Sequence, residues 1–151
     1  MTHKTEHKKD PSKTTISLEL AKIRIDRWLN AMLQIPGFKK NPDSIPRAIY
    51  ISFDDIDALK KECEQYYSKD TLVGIRVYFG IAGETMPVSA TPDDMRGLVV
   101  PVLKVHPSAP HTDAVHKDAS NPNPNDTNVY DFTSPCPQYC DKQSELFVPI
   151  S

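Results

Sequence analysis

The chain has little glycine. Five glycines stand against fourteen prolines in 151 residues, so its turns are set by proline stiffening more than by backbone freedom. It has no apolar run of the length that spans a bilayer. Its start, MTHKTEHKKDPSK, is polar and basic, with no apolar segment behind it. That is not a secretory signal, so a cytoplasmic location is expected. A charge excess of one sign is also missing. The formal net charge of −2 gives no electrostatic reason to expect nucleic acid or an anionic membrane as a partner. Cysteine is sparse and odd in number, at three. In a reducing cytosol these are expected as thiols or metal ligands rather than as a structural disulfide. The NDT at 125–127 matches a glycosylation acceptor but carries no meaning without an export route.

The familiar catalytic patterns are absent as well. There is no glycine-rich phosphate loop, no serine in a nucleophile elbow and no H-E-x-x-H. Carboxylates are plentiful, yet none sits in a pattern that suggests an acid/base pair. A non-catalytic role therefore leads, although catalytic groups scattered along a chain leave no such signature.

What the chain does contain is one ordinary set of elements. Hydrophobic residues make up 38% and charged residues 25%, a globular composition on the polar side. Residues 1–13 read as a disordered basic tail and 14–151 as a single domain. Leu18, Ala21, Ile25, Trp28, Leu29 and Met32 form one helical stripe, with Ser17 as N-cap and the PG at 36–37 as a stop. Trp28 is expected to anchor that helix. IPRAIYISF at 45–53 reads as a strand that leads into a second helix. Ser52 and Asp55 are spaced as a capping box. Asp54, Asp55 and Asp57 suit the positive end of the helix dipole better than a metal. Ile56, Leu59, Cys63 and Tyr66 make the buried side, with Cys63 as a small core residue.

TLVGIRVYFGI at 71–81 is the best strand. Ile75, Val77, Phe79 and Ile81 alternate with Arg76 and Tyr78. TPDDMRG at 91–97 suggests a short helical turn. LVVPVLKVH at 98–106 is a strand whose Pro101 predicts a sheet edge. Residues 107–128 hold four prolines and no Leu, Ile or aromatic residue, and read as a long mobile loop. VYDFT, and LFVPI near the end, read as short strands. The expected fold class is α+β: one small, mostly antiparallel sheet covered by two helices, with a long Pro-rich loop and a disordered N-terminal tail.

The chemistry-bearing stretch is YDFTSPCPQYCD at 130–141. Its CPQYC imitates the redox box of glutaredoxins, but three residues separate Cys136 from Cys140 where that box has two, and it comes near the end of the chain. On a helix, residues four apart have Cβ atoms about 5–6 Å apart, while a disulfide wants roughly 3.5–4.5 Å. A bond across this pair would need an irregular backbone. The helical separation suits two ligands of one metal ion. His111 and His116, four residues between them, complete a possible two-histidine, two-cysteine zinc set in reversed order. The alternative is that the cysteines pack in a turn and the histidines lie exposed in the loop.

Trp28, IRVYFG at 75–80, and Tyr130 to Cys140 together resemble an uncharacterised family of small proteins from Bacteroidota. Members end in YDF, one or two small or basic residues, then CP and a second cysteine. The resemblance spans much of residues 17–141 but concentrates in about twenty positions. It implies a bacterial cytoplasmic protein and supplies no activity, and the HTDAVH loop is outside its pattern. The function expected from all this is a non-catalytic module that binds another protein or a small ligand. Arg76, Tyr78, Tyr130 and Tyr139 are its candidate patch, since arginine and tyrosine serve well as interface anchors. The alternative is a thiol-redox or zinc-binding protein centred on Cys136 and Cys140.

Overall fold

The computed structural model describes residues 14–83, 95–136 and 140–150. The basic tail expected at 1–13, the start of the helical turn expected at 91–94, and Tyr139 lie outside the described residues. The fold class is α+β, with three α-helices and two small antiparallel sheets among the described residues. The chain divides into two compact units. Residues 43–140 form one, and the segments before 43 and after 140 form the other.

In the unit made by the chain ends, α1 spans Leu18–Met32. Ser17 caps it, its side chain accepting from the Leu20 N–H at 3.1 Å. That bond satisfies one of the amide donors a helix start leaves over. The buried residue of α1 is Leu29, at 1% exposure, whereas Trp28 is 45% exposed. The expected tryptophan anchor is thus the neighbouring leucine. One residue step turns a side chain by about 100° on a helix, enough to bring Trp28 to the rim. Proline 36 does more than stop α1. It opens a short helix, α2, at Pro36–Lys40, where its missing N–H costs nothing.

The larger unit holds both sheets. Strand β1, Ala48–Tyr50, is shorter than the sequence suggested, because Ser52 already caps the next helix. That helix, α3, spans Phe53–Cys63. Ser52 Oγ accepts from the Asp55 N–H at 3.0 Å and donates to Asp55 Oδ2 at 2.6 Å. Leu59 and Cys63 are fully buried and form the core with Val99; Ile51, Leu72, Ile75, Val77, Tyr130 and Phe132 pack around them.

Strands β2 (Leu72–Ile81), β3 (Met95–Leu103) and β4 (Thr112–Asp113) form an antiparallel sheet in that order. Met95–Gly97, expected at the end of a helical turn, begin β3 instead. VYDFT contributes one bridge near its start, Tyr130 to Val99. The strand proper, β5, is Ser134–Cys136, paired with β1. Residues 146–150 form no strand.

The position of Pro101 reverses one expectation. Proline predicted an edge strand, yet β3 is the centre of its sheet. The Pro101 carbonyl accepts from the Ala114 N–H at 2.9 Å, so the backbone N and O of Pro101 face the β4 side. There β4 pairs only with Val102 and Leu103. The ladder to β2 never calls on the proline nitrogen, and no bond is lost. The edges are β2 and β4, and β2 is the longest strand of the set.

The segment expected to be a long mobile loop is tied at several points. Asn128 is 1% exposed. Its backbone N–H donates to the Val115 carbonyl at 2.8 Å, and its Nδ2 donates to the carbonyls of Ala114 (3.0 Å) and His116 (3.2 Å). The Tyr67 hydroxyl also donates to the His116 carbonyl, at 2.8 Å.

Candidate functional site

The open side of β2 can be read from its neighbour. Val99 exchanges both backbone hydrogen bonds with Tyr130, each 2.8 Å long. The Gly97 N–H donates to Thr133 Oγ1 at 2.9 Å, and the Gly97 carbonyl accepts from the same hydroxyl at 3.1 Å. Pro101 faces Ala114. All three therefore turn their backbone groups away from β2. Their partners across the ladder are Val77, Phe79 and Ile75. In an antiparallel pair, opposed residues either face each other or both face away. Ile75, Val77 and Phe79 thus point their N–H and C=O groups outward, and the two-residue period carries this to Ile81. Among the described residues, no further backbone hydrogen bond reaches Ile75–Ile81.

The side chains along this edge are apolar and exposed. Phe79 is 78% exposed, Ile81 51% and Val73 49%. They lie on the same face as Ile75 and Val77, which pack on the core. Phe79 stays open because Gly97, with no side chain, stands opposite it. The backbone of Gly97 is also approached too closely for a side chain. A Cβ there would come within 2.9 Å of Val77 Cγ1 and 3.0 Å of Thr133.

The opposite face of β2 carries Arg76 and Tyr78. Arg76 Nη1 and the Tyr78 hydroxyl both donate to the carboxylate of Asp113 on β4. Asp113 thereby reaches across β3 and lies over Val100 and Val102, which share its face. Beside Arg76, a shallow open depression of about 200 Å³ is lined by Val73, Gly74, Ile75, Arg76, Val102 and His111.

The candidate patch of tyrosines and arginine is therefore divided. Tyr130 sits on the core face, away from Arg76 and Tyr78. Its ring lies 5.8 Å from that of Phe132, and its hydroxyl donates to Glu62 Oε2 on α3 at 2.7 Å. Lys117 reaches Glu62 Oε1 at 3.1 Å and Asp126 at 3.2 Å. Burial, and then the bond to Glu62, push the Tyr130 phenol well above its ordinary value. The Tyr130 hydroxyl and then Lys117 hold the Glu62 carboxyl below the usual carboxylate range. This is the electrostatics of a locked structural contact, with the phenol kept neutral. Burial, and then the Glu62 charge, also raise the thiol pKa of Cys63, which suits an inert core cysteine.

Cys136 and Cys140 form a disulfide, with their Cα atoms 4.7 Å apart. The expectation of thiols is corrected here, and the reason is local. Cys136 ends a β-strand rather than lying in a helix, so the helical separation that disfavoured a bond does not apply. Cys136 is 5% exposed, and its carbonyl accepts from the Arg47 N–H at 3.0 Å. Among the described residues, no three His, Cys, Asp or Glu side chains gather as metal ligands. The four residues of the suggested zinc set are thus not brought together. His111 is exposed at the depression beside β2. His116 forms a bridge with Thr127.

Asp113, Glu62, Lys117 and Asn128 carry roles that sequence reasoning missed. Asp113 lies 37 residues from Arg76, and no periodic pattern links them. Asn128 gave no signal, since it sits in a polar loop among other asparagines. Searches against protein-family models, curated proteins and solved structures found no match. Among the described residues, no helix is long and apolar enough to cross a membrane.

Proposed function

We propose that this protein is a non-catalytic binding module that takes an extended strand of another polypeptide along the open edge of β2. The observation that carries this reading is the outward row of backbone groups at Ile75, Val77 and Phe79, beside the exposed Phe79 and Ile81. Added-strand recognition uses main-chain hydrogen bonds for affinity and alternate side chains for specificity. Edge strands in isolated proteins are commonly blunted by lysine, proline or shortness. β2 has ten residues and a single charge, Arg76, which Asp113 neutralises. The one irregularity is the register shift between Leu72 and Gly74, at the end away from Phe79.

A soluble capped peptide of alternating valine and threonine serves as a neutral strand probe. The reading expects it to slow amide hydrogen exchange at Ile75, Val77 and Phe79. Exchange at these three amides that ignores saturating peptide refutes it.

A second reading rests on the disulfide. Cys136 and Cys140 would form a dithiol/disulfide couple that responds to redox state, and Cys140 is the more exposed residue of the two. It predicts a reduction potential within the range of cellular thiol buffers. A potential far below that range would make the bond a structural staple.

A further inference from the structure

The reading above leaves the identity of the added strand open. We infer that the strand is β2 of a second copy, paired antiparallel about a two-fold axis at Tyr78, so that two three-stranded sheets join into one of six strands. This rests on the edge reading and adds the partner.

Two copies of a strand can pair antiparallel about a two-fold only if the outward-facing residues of one meet those of the other. The outward set is Ile75, Val77, Phe79 and Ile81. Its midpoint is Tyr78. A two-fold there sets Ile75 opposite Ile81 of the partner copy and Val77 opposite Phe79 of the partner copy, and the reverse. Every outward N–H and C=O of the flat part of β2 then finds a partner. The exposed Phe79 and Ile81 each meet an apolar residue of the other copy. On the far face, the half-exposed Tyr78 lies on the axis with its hydroxyl held by Asp113, so its ring leans over its own sheet and leaves the seam clear. Arg76 meets Gly80, so the guanidinium has room and no like charge opposes it.

Neighbouring registers do worse. A two-fold at Arg76 sets two guanidinium groups against each other, and like charges directly opposite are destabilising. A two-fold at Val77 leaves Ile81 to the irregular start of β2, where the register shifts between Leu72 and Gly74. Strand β2 is thus self-complementary in hydrogen bonding, apolar pattern and charge. A two-fold homodimer with an isologous contact is the commonest closed assembly.

The test is site-directed crosslinking of the full chain together with sedimentation of the unaltered protein. At the proposed axis, residue 78 of each copy falls at a pair that does not exchange hydrogen bonds, with Cα atoms about 4.5 Å apart, within reach of a disulfide. Tyr78→Cys is expected to give a covalent dimer under mild oxidation. Arg76→Cys, whose counterpart lies four residues off register, is expected to give no covalent dimer. The unaltered protein is expected to sediment at twice the monomer mass, with slow exchange at the Ile75, Val77, Phe79 and Ile81 amides that quickens on dilution. Equal crosslinking of both variants would mean random collision and overturns the inference. So does a protein that sediments as a monomer up to near-millimolar concentration. If that monomer still gains protection from the valine–threonine peptide, only the second copy is refuted. If it gains none, the edge reading falls with it.

Discussion

Asn128 carries the sharpest stability prediction. Replacing it by Ala removes the two bonds its Nδ2 donates, to the carbonyls of Ala114 and His116. The His116 carbonyl keeps the Tyr67 hydroxyl as a donor, so the damage centres on Ala114. A stranded buried carbonyl costs about 1–3 kcal/mol, and each net hydrogen bond contributes about 0.5–1.5 kcal/mol. The expected loss is therefore about 3 kcal/mol. For a chain of this size that corresponds to a fall in Tm of about 6–12 °C. Asn128 Oδ1 has no partner, so the value of the side chain lies in its N–H groups. Asn128→Asp removes those donors and places a carboxylate against two carbonyl oxygens. Burial raises the folded-state pKa of that carboxyl. The variant is then least unstable below the unfolded carboxyl pKa of about 4 and loses stability as pH rises. Calorimetric or circular-dichroism melts of both variants across pH check this. A drop for Asn128→Ala of less than about 2 °C, the size of an ordinary surface change, refutes the claim that Asn128 ties the loop.

Other expectations follow from the same packing. Gly97→Ala places a methyl against Val77 and Thr133; overpacking of this kind costs about 1–3 kcal/mol, and chemical denaturation measures it. The Glu62 carboxyl, held low by Tyr130 and Lys117, contributes stability above its unfolded pKa. That contribution is lost as pH falls through the lowered folded value, so Glu62→Gln flattens the acid limb of the stability curve. Thiol alkylation of the denatured, unreduced protein labels one cysteine, Cys63, and after reduction labels three. In the native state Cys63 resists the reagent, because it is fully buried and its thiol pKa is raised.

The elements governed by local chemistry were legible in the sequence. Ser17 and Ser52 announce α1 and α3 because a capping hydroxyl bonds an amide three residues on, a relation visible in any short window. Cys63 reads as core because helical periodicity places it beside Leu59. The α+β class follows from the same signals. Strand order was not legible, and Pro101 shows why. A proline spoils one side of a strand, and the sequence does not say which side. The alternation of β2 likewise shows two faces without saying which strand stands next to it. Tyr130 and Tyr78 look equivalent as exposed-patch tyrosines, but the Val99 bridge sends Tyr130 to the core face. Helical spacing argues against a bond between the two cysteines, but Cys136 ends a strand at Ser134–Cys136, where that spacing does not apply. Asp113 closes on Arg76 and Tyr78 only through the register of β3 with β4, a long-range fact with no local mark.

The most direct test of the open edge is hydrogen exchange at four amides, Ile75, Val77, Phe79 and Ile81, followed across a dilution series. These groups form no bond within the chain among the described residues, so any protection must come from an added strand. Protection is expected at high concentration and disappears together at all four positions on dilution, while the alternate amides of Arg76, Tyr78 and Gly80, bonded within the ladder, stay slow. Fast exchange at the four amides at every concentration, with or without the peptide probe, contradicts it.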